Sequence, residues 1–214
     1  KYLLEKDASL LTIGYLANFM DGPCPLLDLA IENGHLEVVK YLVENHNADI
    51  YEVFHERLFH EGFTAISYAI TRGNFNITKY FIEERNVDVN KPPIKAKSAG
   101  RYLYGGKFRP LLFYAVEKNH SDIITYLIEE RKADLTVTGK DNENILFAAA
   151  RKENLNFIKY ILDERKAEID INWKNKEGFT LVHVAVKRNF DLLLRYLIGE
   201  KHADLEIPAG EEGK

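Results

Sequence analysis

Apolar and polar positions along this chain form paired clusters. In the first pair, apolar residues at 27–31 and 36–43 flank the polar segment Asn33-Gly34-His35. The spacing of the apolar positions predicts two short helices, and the polar segment predicts the turn that joins them. The same arrangement returns along the rest of the sequence. The chain is therefore predicted to consist of repeated helix pairs.

Each predicted pair carries an alanine, a tyrosine eleven residues later and an acidic residue eight residues after that. Successive tyrosines are 39, 46, 34 and 36 residues apart, whereas the spacing within a unit is constant. Such blocks are typical of stacked repeat proteins, whose usual function is binding. We expect the alanine where the two helices nearly touch, and the tyrosine ring between units with its hydroxyl toward water. The triplets are Ala30/Tyr41/Asp49, Ala69/Tyr80/Asp88, Ala115/Tyr126/Asp134, Ala149/Tyr160/Glu168 and Ala185/Tyr196/Asp204.

Within these units the segments 33–42, 62–64 with Ala69, and 180–185 resemble the ankyrin repeat. The resemblance covers residues 23–207 and recurs in register five times. It implies an all-α ankyrin repeat solenoid with extended β-hairpin finger loops and a concave palm that binds other proteins. Two departures stand out: the Gly-His pair of the mid-unit turn is intact only at Gly34-His35, and each second helix carries one residue more than the family pattern.

The register of the repeats predicts one array over residues 1–214. Residues 1–6 match a second helix whose first helix is missing, so we expect the natural chain to extend further toward its N-terminus. The predicted segments are a partial repeat at 1–22, repeat 1 at 23–60, repeat 2 with a long finger insertion at 61–108, repeat 3 at 109–141, repeat 4 at 142–176, repeat 5 at 177–207 and a polar tail at 208–214.

Composition indicates the class of protein and the cellular compartment in which the array is expected. An apolar content of 46% and a net charge of −4 are ordinary for a folded domain and do not by themselves indicate a nucleic-acid binder. The lone Cys24 fits a reducing compartment, and we expect a cytoplasmic location. The sequence contains no run of about eighteen apolar residues, so no membrane insertion is expected.

The longest insertion, at 91–109, is basic although the chain as a whole has a negative net charge. It holds six basic residues, three aromatic residues and no acid. Basic residues interleaved with aromatic ones can grip phosphates or an acidic peptide. Alternatively, the segment is a solvated hairpin whose rings tuck against a neighbouring finger. A phosphate-binding loop is excluded because Gly106 stands where that motif needs lysine. The candidate binding residues are Lys95, Arg101, Tyr102, Tyr104, Lys107 and Arg109.

A second basic feature follows from the ankyrin register, in which the two residues before the mid-unit turn line the palm. Six of these residues in repeats 2–5 are basic: Arg72, Lys118, Arg151, Lys152, Lys187 and Arg188. A stripe of like charge steers an acidic partner, although the last turn of a helix favours cations in any case. Three finger aromatics, Phe63, Trp173 and Phe179, are candidate contact residues if they are exposed, and core residues if they pack on a neighbouring finger.

These features favour a non-enzymatic module that binds another protein, with an acidic or phosphorylated segment preferred. One alternative is nucleic-acid or phosphate-ligand binding by the loop 91–109; another is a substrate-recruiting part of a larger enzyme or effector. No catalytic constellation and no cofactor motif is recognisable in the sequence. A metal site is not expected either, because His55 and His60 are five residues apart and would point about 140° apart on a helix.

Overall fold

The structure is a computed structural model that describes residues 26–51, 54–55, 62–91 and 109–210. These residues divide into two compact units. The first ends at residue 88, and the second comprises 89–91 and 109–210. Each unit is built from helix pairs, so the predicted all-α repeat fold is confirmed. Within the described ranges, no helix has the length and apolar character that crossing a bilayer requires.

The first unit contains two helix pairs and one strand pair. Helix α1 packs against α3, and β1 pairs antiparallel with β2 so that Phe54 lies opposite Phe63. This strand pair is the base of the finger that the resemblance implied. The elements are α1 (Leu26–Glu32), α2 (Leu36–His46), β1 (Phe54–His55), β2 (Gly62–Phe63), α3 (Ala65–Thr71) and α4 (Phe75–Glu83).

The second unit contains three helix pairs, whose first helices pack in order, α5 on α7 and α7 on α9. The elements are α5 (Leu111–Lys118), α6 (Ser121–Thr125) continued by a π-helical turn (Tyr126–Glu130), a 3₁₀ turn (Lys140–Asn142), α7 (Ile145–Arg151), α8 (Leu155–Lys159) continued by a π-helical turn (Tyr160–Glu164), α9 (Leu181–Lys187) and α10 (Asp191–Gly199). In this unit the described fingers are tight turns: Gly139 N–H donates to the Glu143 carbonyl at 2.8 Å, and Asn175 N–H to that of Phe179 at 2.9 Å.

The repeat alanines are buried on helices that pack together, as expected of residues at a helix contact. Ala69, Ala115 and Ala149 are completely buried, and Ala30 and Ala185 are at most 5% exposed. Only a methyl group fits at such a contact, and a larger side chain would overpack it. The constant position of alanine in the sequence therefore reflects packing.

The mid-unit turns keep one backbone conformation although their residues differ. The residue at this point has a positive φ in every described repeat, namely Gly34, Gly73, Asn119, Glu153 and Asn189. Glycine reaches the left-handed region without cost, and asparagine tolerates it better than most residues. The loss of the Gly-His pair from four repeats thus changes the residues of the turn and preserves its geometry.

The second helices end in an unusually wide turn, which accommodates their additional residue. Arg131 N–H donates to the Tyr126 carbonyl, five residues back, at 3.0 Å, and Ala133 N–H to that of Leu127, six residues back, at 2.9 Å. A π-helical turn takes up one extra residue without breaking the helix. The residue before each closing contact again has a positive φ: Asn47, Asn86, Lys132, Lys166 and His202.

Candidate functional site

The tyrosine hydroxyls of the second helices bind acids of the preceding repeat. Tyr80 donates to Glu44 at 3.1 Å, and Tyr196 donates to Asp163 at 2.9 Å. Tyr160 makes the same bond to Glu129. The expectation that these hydroxyls point toward water was therefore wrong. In each case the acceptor lies three residues after the tyrosine of its own repeat.

Cations complete this arrangement on the second helices. Lys201 lies 2.5 Å from Asp163, and its hydrogen bond is the main reason that the pKa of Asp163 is lowered. Burial, followed by the hydrogen bonds to Glu44 and Glu129, raises the pKa of Tyr80 and of Tyr160 to about 12. Glu44, Glu129 and Asp163 on the second helices are thus engaged in contacts between repeats.

The C-terminal ends of the first helices in the second unit present exposed cations, which we call the basic surface: Lys118, Lys152, Lys187 and Arg188. The positions recur because α5, α7 and α9 stack in register. Lys187 lies over the Phe179 ring at 5.3 Å. Lys152 and Arg188 have no acidic partner among the residues that the structure describes. These two cations are available to an anion from outside.

Two arginines that the sequence placed among the binding residues are instead held by acids. Arg109 forms a bidentate ion pair with Glu117, in which Nη2 lies 2.9 Å from Oε2. The Arg109 side chain is only 12% exposed. Arg151 bonds to Glu143, and its Nη2 lies 3.8 Å from Glu117. Arg109 is therefore not a free cation at the end of the insertion. This pairing was not predicted from the sequence, because no repeat pattern links Arg109 to Glu117, eight residues away.

The three finger aromatics differ in what they offer a partner. Phe63 is 4% exposed and its ring centroid lies 6.0 Å from that of Tyr68, so of the two alternatives for this ring the structure has the buried one. Trp173 is half-buried, and its indole N–H donates to the Asn142 carbonyl at 2.6 Å in the preceding finger. Phe179 is also half-buried and adjoins the basic surface through Lys187.

The sixth predicted palm residue, Arg72, lies in the first unit. It pairs with Glu32 of the preceding repeat at 2.9 Å and with the Tyr68 hydroxyl at 2.8 Å. The loop candidates Lys95, Arg101, Tyr102, Tyr104 and Lys107 lie outside the described residues. Across the described ranges, no group of three or more histidine, cysteine or acidic side chains is arranged to hold a metal ion.

His183 is a structural residue at the start of α9. Its Nδ1 accepts a hydrogen bond from Thr180 N–H at 3.1 Å and contacts the Thr180 hydroxyl at 2.8 Å. This reciprocal contact closes a capping box at the start of α9. Thr64 and Ser67 form the same box at the start of α3. Neither pair is available for chemistry.

Short helices that stack through equivalent positions define a helical repeat protein, and an exposed row of like charge at those positions is a surface suited to binding. A model of the ankyrin repeats matches residues 1–93 and 109–209, with three copies. The chain therefore belongs to the ankyrin repeat family, whose members are generally non-enzymatic protein–protein interaction modules. The matched ranges leave out residues 94–108, the middle of the basic insertion. No curated protein matches the chain.

Proposed function

We propose that this chain is a non-enzymatic module that binds an acidic segment of another protein through its basic surface. The observation that carries the proposal is the recurrence of exposed cations at equivalent positions of three consecutive repeats, Lys118, Lys152 and Arg188. A partner that extends along the stack would meet a cation at each repeat. The single Cys24 supports a reducing, cytoplasmic setting for this interaction.

The local charge balance favours an anionic partner although the whole chain has a net charge of −4. The nearby acids Glu117 and Glu143 are already bound to Arg109 and Arg151, and neither of them pairs with the exposed cations Lys152 and Arg188. A single exposed ion pair contributes about 0–1 kcal/mol. Specific binding therefore needs several of these cations together, and their joint field also speeds the encounter with an acidic partner.

A charge-reversal experiment tests this assignment. The double variant Lys152→Glu with Arg188→Glu is compared with the native protein for binding of a fluorescein-labelled peptide of alternating glutamate and serine, followed by fluorescence anisotropy. Two reversed charges are expected to weaken binding about tenfold at low salt, and less at moderate salt because exposed charges are screened. A second peptide, with phosphoserine in place of glutamate, tests a phosphorylated partner in the same assay.

The matched control reverses two cations at the ends of second helices, Lys132→Glu with Lys166→Glu. Both side chains are exposed, and the change in net charge is the same. Equal weakening by the two double variants would show that only the overall charge matters, and unchanged binding by Lys152→Glu with Arg188→Glu would remove the basic surface from the interface.

Nucleic-acid or phosphate-ligand binding by the loop 91–109 is the second candidate. Its support is the local composition, six basic and three aromatic residues without an acid, in a segment that the ankyrin model does not match over 94–108. Binding of a labelled single-stranded oligonucleotide is expected to fall steeply as salt rises. A protein that fails to bind the oligonucleotide even at low salt rules this function out.

A further inference from the structure

An ion network lies beside the basic surface and joins repeats 3 and 4. It runs from Arg109 through Glu117 to Arg151 and ends at Glu143. The side chains of the two acids are 20% and 15% exposed, whereas that of Arg151 is 31% exposed. Arg151 is thus the member of the network that an external anion can reach most readily.

Glu117 is the central residue of this network. Both of its carboxylate oxygens face the Arg109 guanidinium, and one of them lies 3.8 Å from Nη2 of Arg151. In the register of the repeats, Glu117 occupies the place of Arg151 in repeat 4 and of Lys187 in repeat 5. Repeat 3 therefore presents an acid where the two following repeats present a cation.

We propose that Glu117 lowers the affinity of the basic surface and the adjoining Arg151 for acidic peptides, because its carboxylate neutralises the charge of Arg109 and Arg151. This inference rests on the function proposed above. The guanidinium of Arg151 has five N–H donors, and its contacts with Glu143 and Glu117 engage only some of them. A partner carboxylate can therefore bind Arg151, but it does so against the repulsion of Glu117. The site thus selects partners with several acids, whose combined attraction outweighs that repulsion.

The test is to neutralise Glu117 while keeping its shape. Glu117→Gln retains an acceptor oxygen for Arg109 and removes the negative charge. Repulsion between two like charges about 6 Å apart in a solvent-like dielectric changes an equilibrium about threefold, and more in a less polar setting. The glutamate–serine peptide is therefore expected to bind the variant about three- to tenfold more tightly than it binds the native protein at low salt.

Two further variants separate this effect from a general change in charge. Glu153→Gln removes the charge of an exposed acid that follows Lys152 and has no arginine partner within the described residues, so its gain is expected to stay below about twofold. Adding Arg151→Gln to Glu117→Gln is expected to abolish most of the gain. Equal gains from Glu117→Gln and Glu153→Gln, or a gain that survives Arg151→Gln, would overturn the inference.

Folding of each variant is checked by urea denaturation before binding is measured. If Glu117→Gln is unfolded, Glu143→Gln tests the same idea, because Glu143 also neutralises Arg151. Peptide binding that is weakened by the Lys152 and Arg188 reversals but not tightened by either glutamine variant refutes this inference and leaves the proposed function intact. If neither the native protein nor any variant binds either peptide, both the proposed function and this inference are overturned.

Discussion

The bond between Tyr196 and Asp163 is expected to be a measurable part of the stability of the second unit. The substitution Tyr196→Phe removes the hydroxyl, which donates to Asp163 at 2.9 Å, and keeps the ring. The ring is 2% exposed and lies near the ammonium groups of Lys159 and Lys201, at 4.8 and 5.6 Å. Phenylalanine preserves those contacts, so the change isolates the hydrogen bond.

The expected loss follows from what remains around Asp163. A hydrogen bond to a charged group contributes about 1.5–3 kcal/mol. Asp163 keeps its ion pair with Lys201, and its side chain is 38% exposed, so water replaces part of the lost bond. The free energy of unfolding should therefore fall by about 1–1.5 kcal/mol. Urea denaturation followed by the fluorescence of Trp173 measures this fall, because the single tryptophan of the chain lies in the second unit.

A double-mutant cycle with Asp163→Asn decides whether the loss comes from this bond. The coupling energy between the two positions should exceed about 0.5 kcal/mol, and a value near zero would refute the reasoning. The matched control is Tyr41→Phe, followed by circular dichroism. Tyr41 is half-buried and its hydroxyl has no acceptor in the described part of the chain, so a change below about 0.5 kcal/mol is expected.

Three further substitutions have defined outcomes. Gly178 has a φ of +78°, and an added Cβ would lie 2.2 Å from the Gly210 carbonyl oxygen, so Gly178→Ala should destabilise the protein by about 1–3 kcal/mol in urea denaturation. Gly199 ends α10 with nothing within 4 Å of such a Cβ, so Gly199→Ala should instead add about 0.5 kcal/mol. The pKa of Tyr160 is raised to about 12, so the native state holds a proton that the unfolded state loses near pH 10. Stability present below pH 10 should therefore decline as the pH rises toward about 12, and Tyr160→Phe should flatten that decline; an ultraviolet titration that gives Tyr160 an ordinary pKa would contradict this.

The fold could be predicted from the sequence because its determinants are local. A buried alanine and a polar turn lie within a few residues of each other in every repeat, and the spacing between them is constant. The family model confirms the repeat that this spacing indicated. The wide ends of the second helices were visible only as one additional residue, because the sequence does not show whether a loop or a π-helical turn takes it up.

The partners of the tyrosines could not be predicted in the same way. Each acceptor lies in the preceding repeat, 31 to 36 residues away, so no pattern within one unit reveals the bond. A signal did exist, since an acid stands three residues after the tyrosine in the first four repeats and Gly199 replaces it in the fifth. Its meaning depended on knowing that successive second helices lie side by side.

The candidate site was predicted in outline only, because counting cations does not show which of them are paired. Arg109 and Arg151 looked like Lys152 and Arg188 in the sequence, yet acids hold the first two. Glu143 binds Arg151, which lies eight residues further along the chain. It does so from the end of the 3₁₀ turn that precedes α7, and the conformation of this turn was not predicted from the sequence. Pairing is thus decided by the shape of the fingers and by the neighbouring repeat.

Some charged residues join neighbouring repeats and others at the ends of the first helices do not, and this makes binding and stability separable. On the second helices, Asp163 and Glu129 join neighbouring repeats through part-buried tyrosine hydroxyls. On the first helices, Lys152 and Arg188 contact no acid in the described ranges, so their removal costs the fold little. Reversal of Lys152 and Arg188 should accordingly change affinity at constant stability, whereas Tyr196→Phe should change stability at constant affinity. A repeat surface can then acquire a new partner without being restacked.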